Sequence, residues 1–243
     1  MIQETINKKE SELRVRHIGI IMDGNRRWAK SKGLRVIEGH KHGASTAKNI
    51  IKTAIECEIE NLTLFAFSSE NWKRKSEEIN DLIGLLRYFL NKEIKNLVDG
   101  GVKLKILGDI SLFPEDIVNS LKNTILSSQN NSKINLIIAI NYGARQEITN
   151  SVKKIANEVL LNKIKLKDIS EKKISESLYT SGIPDPDLII RTGGDSRLSN
   201  FLLWQSAYSE LIFIKKPWPD FTEYDFVDAV NEFNNRERRF GGF

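Results

Sequence analysis

Short apolar runs rich in β-branched residues alternate along the chain with longer stretches whose apolar positions recur at helical spacing. The runs at 15–22, 62–67, 102–107, 134–140, 188–190 and 211–214 predict six strands. Between them the period changes, and helices are expected over roughly 41–56, 76–98, 114–127, 146–160 and 222–237. In the first of these, Ala44, Ala47, Ile51, Ala54 and Ile55 fall on one face. Strands that are apolar on both faces and separated by helices point to an α/β fold, a single domain with a mostly parallel six-stranded sheet flanked by helices. No repeat, low-complexity tract or Pro/Ser-rich linker interrupts the pattern. Residues 15–243 therefore read as one domain, preceded by a flexible N-terminal segment over 1–14. Ligands of such sheets sit outside the carboxyl ends of the strands, so chemistry is expected in the polar loops that follow them.

Composition removes several alternatives. A chain of 243 residues with 40% hydrophobic content can bury a full core. No run approaches the roughly 20 apolar residues of a membrane-crossing helix. The charged start, MIQETINKKESELRVR, lacks the apolar stretch of a secretory signal, so a cytoplasmic location is expected. Cys57, the single cysteine, reads as a small packing residue. The net charge is +5, from 37 Lys and Arg against 32 Asp and Glu. Lysines in KKIANEVLLNKIKLKDISEKK are spaced as solvated helix faces place them. Several arginines instead stand beside Gly, Asn and Ser directly after apolar runs. That placement suggests a localised anionic ligand and no nucleic acid, whose footprint spreads as a stripe.

The first strand exits into Asp23-Gly24-Asn25-Arg26-Arg27-Trp28. A strand that breaks into Gly-Asn and then a helix offers backbone N–H groups to phosphate oxygens, and two arginines add charge. Asp23 would repel that phosphate unless a divalent cation lay between them, so it is a candidate Mg²⁺ ligand; the alternative is a helix cap beside surface arginines. Walker A and G-x-G-x-x-G spacings are absent, against a P-loop hydrolase or a dinucleotide enzyme. A second loop runs from Arg191 through Gly193, Gly194 and Arg197 to Ser199. Its glycines allow close backbone approach and its arginines and hydroxyl supply directed donors, a second oxyanion subsite unless Gly-Gly is only a turn. A third segment, Ser68-Ser69-Glu70-Asn71-Trp72-Lys73-Arg74, again puts polar groups after a strand, with Trp72 as an apolar wall and Arg74 as a cation. The helix beyond carries Ile79, Leu82, Ile83, Leu86, Phe89, Leu90 and Leu97, a stripe that suits a core and also one wall of an apolar tunnel. Two phosphate-friendly loops and one bordered by apolar surface suggest a bisubstrate enzyme for amphiphilic diphosphates.

On these residues, His17-Ile18-Gly19-Ile20-Ile21-Met22-Asp23-Gly24-Asn25-Arg26-Arg27-Trp28-Ala29, Gly39-His40, the block from Leu64 to Trp72, the loop from Arg191 to Ser199, and Asn235-Arg236-Glu237-Arg238-Arg239-Phe240-Gly241-Gly242, the chain resembles the cis-prenyltransferases, in particular the undecaprenyl diphosphate synthase type. The resemblance runs from about residue 15 to the end, in the family's order. It implies a Mg²⁺-dependent transferase that condenses isopentenyl diphosphate repeatedly onto an allylic diphosphate, first farnesyl diphosphate. The product implied is a long-chain polyprenyl diphosphate with cis double bonds, delivered to the membrane for cell-wall synthesis. By the same resemblance Asp23 is the central catalytic and metal-binding carboxylate, and Glu210 is a second metal ligand. Gly24, Asn25, Arg26, Arg27, Trp28 and His40 line the allylic site, with Arg35 as a candidate member. Arg191, Arg197, Leu198 and Ser199 hold isopentenyl diphosphate. Ser68, Ser69, Glu70, Trp72 and Arg74 bind substrate. Asn71 matches the family's proton acceptor, although an amide is a poor base and more plausibly orients a proton path.

Two positions depart from the family. Val36 stands where an Arg is usual, with Arg35 one residue earlier, and Arg26 stands where Gly is frequent. Arg239-Phe240-Gly241 matches a family element that completes a neighbouring subunit's site, which implies a homodimer. A shorter- or longer-chain synthase, or a silent partner subunit, remain the alternatives; the presence of Asp23, Arg191, Arg197, Ser199 and Glu210 favours catalysis.

Overall fold

The computed structural model describes residues 15–237. The segment 1–14 and the tail from Arg238 to Phe243, which includes Arg239-Phe240-Gly241, lie outside the described residues.

All six expected strands form and pair in the order β3-β4-β2-β1-β5-β6, with β1 at His17–Ile21, β2 at Asn61–Ser68, β3 at Val102–Leu107, β4 at Ile134–Tyr142, β5 at Leu188–Arg191 and β6 at Glu210–Phe213. Every pairing is parallel, not merely most of them. The chain starts at β1, winds outward through β2 towards β3 and β4, and then returns to β1's other side with β5. The winding direction therefore reverses between β1 and β5, where Ile21 pairs with Arg191. In open parallel sheets this reversal opens a crevice at the carboxyl edge. Asp23 follows one wall of that crevice and Arg191 ends the other.

The helices are α1 Asn25–Ser31, α2 Val36–Glu56, α3 Ser76–Tyr88, α4 Lys95–Asp99, α5 Glu115–Ser127, α6 Ala144–Leu160, α7 Glu171–Ser177 and α8 Glu223–Asn234. α2 starts five residues before its periodicity suggested, because Gly39 and Gly43 sit inside it. A Cβ on Gly39 would lie 2.2 Å from the Asn25 carbonyl oxygen, so the glycine is what lets α1 rest on α2. The helix expected over 76–98 is interrupted by a π-helical turn at Phe89–Ile94. Such turns carry an extra residue per hydrogen-bonded ring and re-aim the side chains that follow. α7 was not expected.

The larger apolar cluster joins one sheet face to α2, α4, α5 and α8, and a smaller one around Ile137, Ala139, Tyr142 and Phe201 lies on the other. Cys57 packs in the first, as expected. Two buried polar groups fix the frame of the site. His17 Nδ1 lies 2.6 Å from Pro184 O and its Nε2 lies 2.7 Å from Thr63 Oγ1; burial pushes the ring down to about 4, so it is neutral at pH 7. Glu147, 1% exposed, accepts from Tyr142 Oη at 2.6 Å, Gln205 Nε2 at 3.1 Å and Tyr179 N–H at 2.8 Å. It ties β4 and α6 to the long connection that carries the second phosphate-friendly loop. Among the described residues no helix is long and apolar enough to cross a membrane.

Candidate active site

A cavity of about 1060 Å³ opens at the carboxyl ends of β1, β2 and β5 and runs beneath α2 and α3. Its mouth is polar. Asp23 Oδ2 accepts from Arg191 Nη2 at 2.8 Å and lies 3.1 Å from Arg27 Nη2, while Oδ1 accepts from Gly24 N–H at 2.6 Å. Burial works to raise this carboxyl, but the Arg191 hydrogen bond, the Gly24 amide and the two guanidinium charges outweigh it and hold Asp23 below the usual carboxylate range. Gly24 takes φ 106, a left-handed conformation that begins α1, and a Cβ there would meet Pro217 at 2.7 Å. The loop can turn this tightly only with glycine.

Arg191, 3% exposed, is the pivot. Its Nη1 donates to Ser199 Oγ at 2.7 Å and to the Arg197 carbonyl, and its Nε is buried without a partner. The left-handed Gly193 and Gly194, at φ 86 and 85, fold the loop back so that Asp195 Oδ2 reaches Arg197 at 2.9 Å and Arg27 at 3.3 Å. Three arginines thus converge on two carboxylates. His40 stands on α2 at the cavity wall; burial first, then the nearby charges of Arg74 and Arg26, lower it to about 4, so it is a neutral ring, and its Nε2 is buried with no hydrogen-bond partner. The unpartnered Arg191 Nε–H, and His40 Nε2 in the tautomer that carries its proton there, suit an anion rich in oxygen acceptors beside the ionised guanidinium groups.

On the third side, Ser68 caps a short 3₁₀ turn, Ser69–Lys73, in a reciprocal arrangement with Asn71. Asn71 Oδ1 accepts from Ser68 N–H at 3.0 Å, so its amide presents donors and no base to the cavity. Glu70 is held by Ser68 Oγ, by Ser69 Oγ at 3.3 Å and by Asn200 Nδ2 at 2.9 Å. Arg74 pairs with Glu78 at 2.9 Å, and Arg26 reaches the same carboxylate at 3.7 Å. Deeper in, Leu82, Ile83, Leu86 and Phe89 line the cavity and are only partly buried.

The structure brings Asp23, Gly24, Asn25, Arg26, Arg27, His40, Ser68, Glu70, Asn71, Arg74, Arg191, Arg197 and Ser199 around this one cavity. Other expected members lie elsewhere. Trp28 turns away, donating to Asp220 at 2.7 Å and packing on His42. Arg35 has an 80% exposed side chain paired with Glu38, so it does not fill the place of the family's arginine within this chain. Trp72 donates to Asn141 at 2.9 Å and packs with Phe67 and Phe113. Ser69 and Leu198 support the loops behind the lining. Glu210 opens β6 opposite Leu188, at the amino edge of the sheet, and pairs with Arg236 at 2.8 Å. Three residues of strand, on the order of 10 Å, separate that level from the Arg191 level. Asp23 and Glu210 therefore do not meet within one chain. Sequence reading missed Asp195, Asn200 and Trp218; Asp195 could have been found from its place between two arginines in a Gly-Gly loop.

Among the described residues no group of three or more His, Cys, Asp or Glu side chains is arranged to hold a metal. The site still fits Mg²⁺, which commonly takes one or two carboxylates and completes its shell with substrate phosphates and water. Ionised Asp23, with Asp195 on the same arginines, is that kind of donor set.

The pairings rank the two loop arginines. Arg27 touches both carboxylates, whereas Arg26 is aimed at Glu78 and reaches neither of them. Arg27→Ala is expected to lower kcat/KM about thirtyfold or more, the loss of one or two charge-assisted hydrogen bonds, and Arg26→Gly only a few-fold. Comparable losses in steady-state assays would contradict that ordering.

A family model described as "Putative undecaprenyl diphosphate synthase" matches residues 21–241. An isoprenyl transferase from Rhizobium meliloti is 46% identical over 226 residues, 93% of this chain and 92% of that protein. One from Clostridium perfringens is 45% identical over 227 residues, 93% and 90% of the two chains. Among solved structures, lavandulyl diphosphate synthase from Lavandula x intermedia, in complex with dimethylallyl diphosphate, superimposes with a TM-score of 0.92 at 37% identity, covering 95% of this chain and all of that one. A probable undecaprenyl diphosphate synthase from Campylobacter jejuni gives 0.78 at 32% identity, covering 94% and 99%. With the arginine-lined crevice and the parallel sheet beneath it, these matches place the chain in the isoprenyl transferase family, the cis-prenyltransferases that join isopentenyl diphosphate to an allylic diphosphate.

Proposed function

We propose that this enzyme uses Mg²⁺ to extend farnesyl diphosphate with successive isopentenyl diphosphates. Its product is a long polyprenyl diphosphate of the undecaprenyl class, the precursor of the lipid carrier for cell-wall synthesis. The observation that carries the reading is the continuity of the cavity: the arginine- and Asp23-lined mouth leads directly to a wall of partly buried apolar residues on α3 and the π turn. At about 1060 Å³ it reaches the upper end of the usual range for small-ligand pockets, which suits a growing alkenyl chain in an apolar tunnel.

The roles follow from the geometry. His40, Arg26, Arg27 and Asp23 surround the allylic diphosphate; Arg191, Arg197 and Ser199 take that of isopentenyl diphosphate. Bound Mg²⁺ supplies Lewis acidity to the departing diphosphate. The fixed guanidinium groups meet the charge that develops on its oxygens, in a site already arranged to receive it. Asn71 and Ser68 orient donors near the proton that must leave, and a phosphate oxygen is a better acceptor for it than the amide. The homodimer belongs to this proposal too. Tyr208 and Phe213, 70% and 38% exposed, stand on or beside the edge strand that also carries Glu210. Cytoplasmic synthesis, with product passed to the membrane, completes it.

A second reading has one observation in its favour, the likeness to lavandulyl diphosphate synthase, a solved structure holding dimethylallyl diphosphate. Incubation with labelled isopentenyl diphosphate, Mg²⁺ and either farnesyl or dimethylallyl diphosphate, followed by chain-length analysis, separates the two. Long polyprenyl products from farnesyl diphosphate are expected. Products that stop after a single condensation would transfer the chain to the short-product group, and no product at all would leave it a silent partner.

A further inference from the structure

The lysine-rich stretch after the middle of α6 takes no part in the cavity. Between residues 152 and 173 it carries seven lysines against three carboxylates, an excess of four, when the entire chain has an excess of five. The same stretch exposes three leucines, Leu160 at 80% and Leu161 at 56% at the end of α6 and Leu166 at 74% in the 3₁₀ turn that follows. Lys163, Lys165 and Lys167 are exposed among them. We propose that this tip is a docking surface for an anionic lipid bilayer.

The tip is a built feature. Lys163 N–H donates to Glu158 O at 2.9 Å and Asn162 N–H to Val159 O at 2.9 Å, with Asn162 at φ 54, which is the Schellman closure of a helix end. Lys173 pairs with Glu158 at 2.7 Å and fastens α7 alongside. The closure holds the leucines outward, and nothing in it requires leucine, since the bonds are all backbone. Large apolar side chains kept in water at a lysine-ringed point have the composition of a segment that sits at the headgroup boundary, apolar groups down and ammonium groups among lipid phosphates. Lysines alone would suit any polyanion; the leucines select a lipid surface. A second copy is disfavoured as the occupant, because it would bring the same positive excess face to face.

The tip is also well placed. α6 starts just past the carboxyl end of β4 and runs back for 17 residues, about 25 Å, so Leu160 lies at the amino edge of the sheet, away from Asp23 and the diphosphate loops. Docked by this edge, the protein keeps its charged mouth towards water and its opposite end against lipid. The docking claim rests on the surface alone and is read without substrate, so it stands or fails separately from the proposed activity.

The test is sedimentation of the full chain with vesicles of phosphatidylcholine containing phosphatidylglycerol, and with pure phosphatidylcholine. Binding is expected to the anionic vesicles only and to weaken as salt is raised, as screening shortens the range of the lysine charges. The variants Leu160→Ser/Leu161→Ser/Leu166→Ser and Lys163→Glu/Lys165→Glu/Lys167→Glu should each lower the partition coefficient about tenfold or more, with circular dichroism and melting temperature unchanged. The proposal is overturned if the parent ignores anionic vesicles or binds both kinds equally. It is also overturned if both variants bind like the parent, or if the variants change the particle mass in light scattering while vesicle binding persists, which would make the tip a contact between copies.

Discussion

Asp23→Ala is expected to lower kcat/KM by about 10³-fold or more and to abolish the response of the residual rate to Mg²⁺, because it removes the carboxylate on which the crevice is organised. Asp23 gathers Arg191 Nη2 at 2.8 Å, Arg27 Nη2 at 3.1 Å and the Gly24 amide at 2.6 Å. Its loss leaves two guanidinium groups closer to mutual repulsion and removes the carboxylate proposed to hold Mg²⁺. The fold should survive. The side chain is 29% exposed, and Asp195, 3.3 Å from Arg27 and 3.7 Å from Arg191, remains as a counter-charge. The measurement is the rate of labelled isopentenyl diphosphate incorporation across a Mg²⁺ titration, beside a thermal melt. Activity within tenfold of the parent, or an unchanged Mg²⁺ curve, would remove Asp23 from the centre of the reaction.

Trp218→Ala should produce the largest loss of stability among single changes near the site. Trp218 is 1% exposed, stacks on Phe221 at 5.4 Å, and donates its indole N–H to Gly43 O at 2.8 Å. Its backbone N–H reaches the Asp23 carbonyl at 2.8 Å. The indole thus fills the space between α2 and the Asp23 loop; a Cβ on Gly43 would come within 2.8 Å of it. Truncating a buried tryptophan costs about 3–5 kcal/mol. For a chain of this size that lowers the melting temperature by about 6–20 °C. Activity should fall with it even below the transition, since the loop that positions Asp23 loses its backing. A melting temperature within about 3 °C of the parent would mean that the cavity refills without strain.

What could be read from the sequence, and what could not, divides along physical lines. Strand Val102–Leu107 was predicted to the residue and all six strands were found, because buried parallel strands are local apolar runs bounded by polar loops. The arginine loops were equally legible, since Gly beside Arg after a strand is a short-range signal. The start of α2 was not, because Gly39 and Gly43 look like breaks until α1 is packed upon them. α7 has only seven residues and no repeating face. The placement of Trp28 and Trp72 outside the cavity lining, and the separation of Glu210 from Asp23, depend on strand register and on contacts between distant segments. No motif encodes either. The partnership of Asp195 with three arginines was hidden for the same reason, although the residue itself stood in the loop that was singled out.

Helix α3 buries none of its side chains fully, although Ile79, Leu82, Ile83 and Leu86 mark an apolar stripe along it. In most proteins that stripe would be covered by another element. Among the described residues α2 and the larger apolar cluster cover that stripe only in part, and the alkenyl chain of the proposed reaction is suited to cover the rest. On the proposed reaction, each isoprene unit added would be a piece of hydrophobic core delivered by the reaction itself, so the enzyme would finish folding around what it makes, with the longest product held by the most complete core.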